Sequence, residues 1–344
     1  MSIVARSSRP NTFRSPAMCR PPMCTAPADD STTLLPPPYA AAHRRDRPDE
    51  TIGGTMSVRG RALLAMVAAV VLWPAGSALA KTVDLPGTVL SMHRIAWAAA
   101  LYVVVSGLRG RWPKAASLRT GALVGISYAL TNVLFFVGVK STTVANATII
   151  QSLQPLPILL LSNRMFGERV GRREVLLSFG AVGGVALVVF GSTSTVQWSA
   201  TGDLLCVGSL VAWVAYAVTT KKARADMEAI ELQANMLPTA AAVLVPIALV
   251  SERALGPGGP VEWLGIVAII ATAGTGHLLM GWAAPHLPIT QTSLIGLGQP
   301  LVAVILAAVF LGEAVVGWQL VGMAVVIAMT AGALTARQAT PAPR

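Results

Sequence analysis

Two stretches decide the architecture of this chain: QPLPILLLSNRMFGE, from Gln154 to Glu168, and QPLVAVILAAVFLGE, from Gln299 to Glu313. Each opens on Gln-Pro, continues through mostly apolar residues and closes on Gly-Glu. The offset between them, 145 residues, extends beyond the motif without a gap. It pairs Asn132 with His277, Asn146 with Gln291, Thr148 with Ser293, Ile150 with Ile295 and Leu161 with Leu306. Agreement in spacing as well as in residue type is the mark of an internal duplication.

Composition says what medium the duplicated unit occupies. Of the 344 residues 54% are hydrophobic and 12% charged, with a mean hydropathy of +0.64. Soluble domains carry about 25% charge, so the chain reads as a membrane protein. From Arg59 onward ten apolar stretches alternate with short polar breaks, near 62–80, 88–107, 117–139, 142–163, 174–192, 202–220, 232–250, 263–284, 289–311 and 315–335. Their lengths suit helices that cross the bilayer core, and barrel strands would be half as long and alternating. The expected fold is therefore an all-α polytopic membrane protein of ten transmembrane helices.

Charge orients the bundle. With the N-terminus in the cytoplasm, fifteen Lys and Arg residues of the connecting segments fall on the cytoplasmic side, against Lys81, Lys140 and Arg253 outside. That bias places both chain ends in the cytoplasm of a multi-pass plasma-membrane protein. It also explains the net charge of +11 without a nucleic-acid partner. Ten spans make two halves of five, 59–192 and 201–336. Because five is odd, homologous halves must lie upside down relative to each other, an inverted-topology repeat. Gly167-Glu168 then ends the fourth span at the cytoplasmic side and Gly312-Glu313 ends the ninth at the outer side.

The flanks read differently. Residues 1–55 hold nine Pro and seven Arg with few large apolar residues, the composition of a disordered tail. They lack the apolar segment of a secretory signal. PPPY at Pro36 to Tyr39 is a chance match in a Pro-rich context, and Met56 is the favoured translation start. Residues 337–344 form a short cytoplasmic tail.

With these residues in view, the chain resembles the EamA-type branch of the drug/metabolite transporter superfamily. The likeness rests on the two Gln-Pro…Gly-Glu stretches, on GDLLCVGSLVAWVAYAVTTKKA from Gly202, on Arg94, and on AVVLWPAGSALAK around Trp73, and it covers about 59–336. The family has Gly where Pro74 stands. The resemblance implies alternating-access movement of small organic solutes such as amino acids, metabolites or drugs, often as export. A channel-like facilitator or a membrane scaffold is the alternative.

Polar residues inside apolar spans are costly and face a cavity or a partner helix. Asn132, His277, Asn146 and Gln291, related by the duplication, are candidate solute contacts. Tyr128, one turn before Asn132, and Gln151, beside the Pro155 break, join them, as do Trp73, Trp213 and Arg94. Hydrogen bonding between helices is the competing use of such residues. Gln154, Pro155, Gly167, Glu168, Gln299, Pro300, Gly312 and Glu313 form the structural motif, with the prolines kinking their spans. Gly180 and Gly184 offer a homodimer face or close packing within the bundle. No carboxylate lies in mid-span, which argues against an Asp/Glu proton relay and makes His277 the best candidate for any proton coupling. Neither a metal set nor a catalytic motif is legible, so the expectation is no enzyme and no cofactor. The expected partners are the lipid bilayer and a small-molecule solute.

Overall fold

The computed structural model describes residues 56–80, 82–113, 115–142, 144–168, 170–190, 199–311 and 315–336. The expectations for the N-terminal tail, for Gly312 and Glu313 and for 337–344 lie outside them. The described elements are helical: α1 (Val58–Ala80), α2 (Gly87–Leu108), α3 (Ala115–Ser141), α4 (Val144–Ser152), α5 (Pro155–Phe166), α6 (Arg172–Phe190), α7 (Ala200–Ala223), α8 (Ala229–Ser251), α9 (Pro260–Ile269), α10 (Thr275–Ala283), α11 (Ile289–Gly296), α12 (Gln299–Leu311) and α13 (Gly317–Ala336). A π-helical turn, Ile270–Gly274, joins α9 to α10. Nine stretches among the described residues are long and apolar enough to cross a bilayer. The remaining expected span, α4 followed by α5, is divided.

Both Gln-Pro motifs divide their spans in the same way. At the first break Leu153 N bonds Ile150 O and Gln154 N bonds Gln151 O; at the second, Leu297 N bonds Leu294 O and Gly298 N bonds Ile295 O. Three-residue spacing tightens the turn, and Pro155 then starts α5 where no backbone donor is needed. Span four ends in the same motif's Gly167, whose φ of 65° is left-handed, so its amide returns to Asn163 O and the chain turns sharply into Glu168.

Packing follows the duplication. α3 lies against α7, and its repeat-mate, the α9–α10 span, lies against α1. The pairs α6 with α13 and α2 with α8 are each related to themselves. Small residues bring the α6–α13 pair close: a Cβ built on Gly322 would stand 2.6 Å from Gly184 O, and Gly180 abuts Met329 Sδ. Gly180 and Gly184 are thus used inside the bundle. Large apolar side chains such as Leu160 and Val250 face outward, as a bilayer solvent requires and water would not tolerate.

Candidate functional site

A cavity of about 980 Å³ opens into the bundle. Its wall comes from the last turns of α1, the C-terminal half of α3 at Thr131 and Phe135, and α4 with its break at Thr148, Gln151 and Gln154. The middle of α7 adds Ser209 and Trp213, and α11–α12 adds Gly296, Gln299, Pro300 and Phe310. Alternate spans are antiparallel, so all these segments belong to one half of the membrane depth, toward the end where α1 and α3 finish. The two Gln-Pro breaks meet on this wall. A Cβ on Gly296 would lie 3.3 Å from Gln154 Nε2 and 4.0 Å from Gln299 Nε2. Breaking a helix at the cavity frees backbone groups there, the usual construction of a midplane site.

Below the cavity, aromatic rings close the way. Trp213 borders the cavity and packs edge-on to Trp73 at 5.8 Å and tilted to Tyr216 at 5.4 Å. His277 sits among them, 5.3 Å from Trp73 and 4.8 Å from Tyr128, with Nδ1 3.2 Å from Tyr216 Oη. Trp73, Tyr128 and Tyr216 are buried. α1, α3, α7 and α10 each contribute, so both halves of the duplication share this plug. The π turn stands immediately before α10; α1 approaches it so closely that a Cβ on Gly76 would meet Ala273 Cβ at 2.7 Å.

The opposite end is sealed by a buried ion pair. Lys221 Nζ, at the end of α7, lies 2.7 Å from Glu168 Oε1, with the side chains 3% and 10% exposed. Glu168 Oε1 also accepts from Ile289 N at 2.9 Å, and Oε2 from Thr290 Oγ1 at 3.3 Å. One carboxylate therefore neutralises the ammonium and caps the N-terminus of α11, where backbone donors favour an anion. Lys221 donates further to Leu287 O and lies 5.1 Å from the Phe166 ring centroid. Glu168 belongs to the first half, Lys221 and α11 to the second, so the contact fastens the two halves together.

Comparison with known proteins agrees with this architecture. The model of the EamA-like transporter family matches twice, over residues 60–190 and 200–335. The chain belongs to the EamA-like transporter family. It is 28% identical over 211 residues to "Uncharacterized transporter YyaM" of Bacillus subtilis (strain 168), covering 60% of this chain and 68% of that one. A crystal structure shares the fold with a TM-score of 0.69 at 20% identity, covering 82% of this chain and 99% of the other. This EamA protein is accordingly a multi-pass membrane protein of a transporter family.

Within this EamA bundle the expected residues separate into groups. Trp213, Gln151, Gln154, Gln299 and Pro300 line the cavity. Trp73, Tyr128 and His277 form the plug beneath it. Asn132 accepts from Arg94 Nη2 at 2.9 Å and donates to Tyr128 O at 2.7 Å, so its amide is engaged between helices. Asn146 stands near the open end, donating to Asp203 Oδ1 at 3.2 Å. Gln291 is buried toward the sealed end with neither side-chain polar atom hydrogen-bonded. Glu168 is more than a helix-end turn, because Lys221 reaches it across the halves. Lys221 itself is absent from the candidates read in the sequence, where it counts only as cytoplasmic charge. A signal was present: Lys221 follows Trp213 by eight residues, as Lys81 follows Trp73. Ser209 and Thr131 were also missed; they are small polar residues without a repeat partner to mark them.

Proposed function

We propose that the protein is a secondary transporter that carries small organic solutes across the plasma membrane by alternating access, in the direction of export. The observation that carries this reading is the asymmetry between ends: one holds a solute-sized cavity, the other a buried ion pair. Such a shape supports one stage of a cycle better than a continuous pore. The duplication supplies the other stage. Thr148 lines the cavity, whereas its repeat-mate Ser293 is buried toward the sealed end, only 5% exposed. Rocking one half against the other exchanges these environments. Arg164, Arg172, Arg173, Lys222 and Arg224 cluster at the sealed end, which supports placing it in the cytoplasm. The direction of export rests on the family resemblance alone. Gln151, Gln154, Gln299 and Trp213 then contact the solute, while Arg94, Asn132, Tyr128, Trp73 and His277 support the floor.

Solute accumulation in cells with and without the protein, screened over amino acids, nucleosides and drugs, tests this. Cells making the wild-type chain should hold less of the transported solute, and Ala303→Trp, which adds a ring to an exposed position of the cavity wall, should abolish the difference while the protein remains inserted. Equal transport by this variant would refute the assigned route.

A further inference from the structure

The cavity wall has a chemistry of its own. One side is apolar, from Pro74, Leu79, Leu306 and the rings of Phe135 and Phe310. The other carries three carboxamides, Gln151, Gln154 and Gln299, beside Thr131, Ser152 and Ser209, whose hydroxyls already donate to the backbone carbonyls of Ser127, Thr148 and Thr131. Every polar group on the described wall is uncharged. Among the described residues, Asp203, Arg94, Glu168 and Lys221 of the neighbouring helices have partners away from this wall. Asp203 accepts from Thr142 Oγ1 at 2.6 Å, Asn146 Nδ2 and Ser199 N; Arg94 donates to Asn132 behind Tyr128; Glu168 and Lys221 hold each other.

Resting on the transporter reading of this cavity, we propose that its solutes are uncharged amphiphiles: an aromatic or branched aliphatic body bearing an amide-like group that both donates and accepts hydrogen bonds. A carboxamide offers one carbonyl and two N–H groups, so three of them match a neutral amide in either direction. Among the described residues, two of the three have a protein acceptor for the amide nitrogen. Gln151 Nε2 reaches Cys206 O at 3.4 Å, a weak bond that a better acceptor displaces, and Gln299 Nε2 reaches Gly296 O at 3.2 Å. An ion entering the same space loses hydration without gaining a counter-charge from the described wall, a penalty of several kcal/mol when the site is dry. The cavity is open to water, so the discrimination should be nearer to about tenfold than to the dry limit.

Four molecules with one body test this: phenylpropionamide (neutral), phenylpropionate (anion), phenylpropylamine (cation) and phenylalanine (zwitterion). Saturable binding of radiolabelled phenylpropionamide to the purified full chain is measured, with the other three as competitors. Phenylpropionamide should bind, and each charged relative should compete about tenfold more weakly. Gln299→Leu should weaken binding, and Gln151→Glu, nearly isosteric, should gain affinity for phenylpropylamine, a change that loss of folding cannot produce. Equal or tighter binding of any charged relative would overturn the proposal. So would the lack of saturable phenylpropionamide binding, or Gln151→Glu with unchanged preference. If phenylpropionamide binds but does not cross the membrane of proteoliposomes, the transporter reading fails while the recognition chemistry stands.

Discussion

Replacing Lys221 by Met should release the seal between the two halves. The substitution keeps most of the side-chain volume but leaves the Glu168 carboxylate buried without the Lys221 ammonium. A surface pair would matter little, about 0–1 kcal/mol. Here the side chains are 3% and 10% exposed and the N–O distance is 2.7 Å, so the buried regime applies and loss of one partner costs about 3–5 kcal/mol. If only the sealed state bears that cost, about 3 kcal/mol changes its population ratio by roughly a hundredfold, taking a 99:1 preference to near parity. Spin labels at Asn163 and His286, both exposed near the sealed end, report the change as a distance distribution once the native cysteines are replaced. The wild-type chain should give one short distance and Lys221→Met a second, longer one. Glu168→Leu together with Lys221→Met should return most of the short population, because an apolar pair of similar volume replaces a buried ion pair at little cost. The recovery should fall short by about 1 kcal/mol, since Ile289 N loses its capping carboxylate. An unchanged distribution in Lys221→Met, or a double variant no closer to wild type than the single one, would refute the reasoning.

Two further outcomes are expected. Gln291→Leu removes two buried polar atoms that lack hydrogen bonds and should stabilise the sealed state by about 1–3 kcal/mol, seen as a higher thermal midpoint in detergent with slower turnover; a lower midpoint would show that Gln291 is bonded there. Gly322→Ala places a methyl 2.6 Å from Gly184 O and should cost about 1–3 kcal/mol by forcing α6 and α13 apart. Size-exclusion chromatography should then show less monodisperse protein, whereas unaltered yield and thermal midpoint would mean that this helix pair separates freely.

Periodicity and spacing settle what depends on neighbours along the chain. Long apolar stretches dictate helices because a bilayer offers no other partner for backbone groups. The 145-residue offset between Gln154 and Gln299 dictates a duplicated unit, and proline dictates where spans four and nine divide. These features are local, so one strand of text contains them. The site is different, because its geometry depends on which faces meet across the halves. Asn132 and Gln151 look alike in the sequence, each a carboxamide in an apolar span. Only the packing of α2 on its neighbours commits Asn132 to Arg94, while the break at Gln154 leaves Gln151 facing the cavity. Asn146 and Gln291 are repeat-mates with opposite surroundings, one bonded to Asp203 and the other buried without a bond. A duplicated sequence is symmetric, but a transporter open at one end is not, so it cannot tell which copy lies in the cavity and which in the seal. Lys221 shows the same limit: counted as one more cytoplasmic charge, it becomes the counter-ion of Glu168 only when α7 and α11 fold against the end of α5.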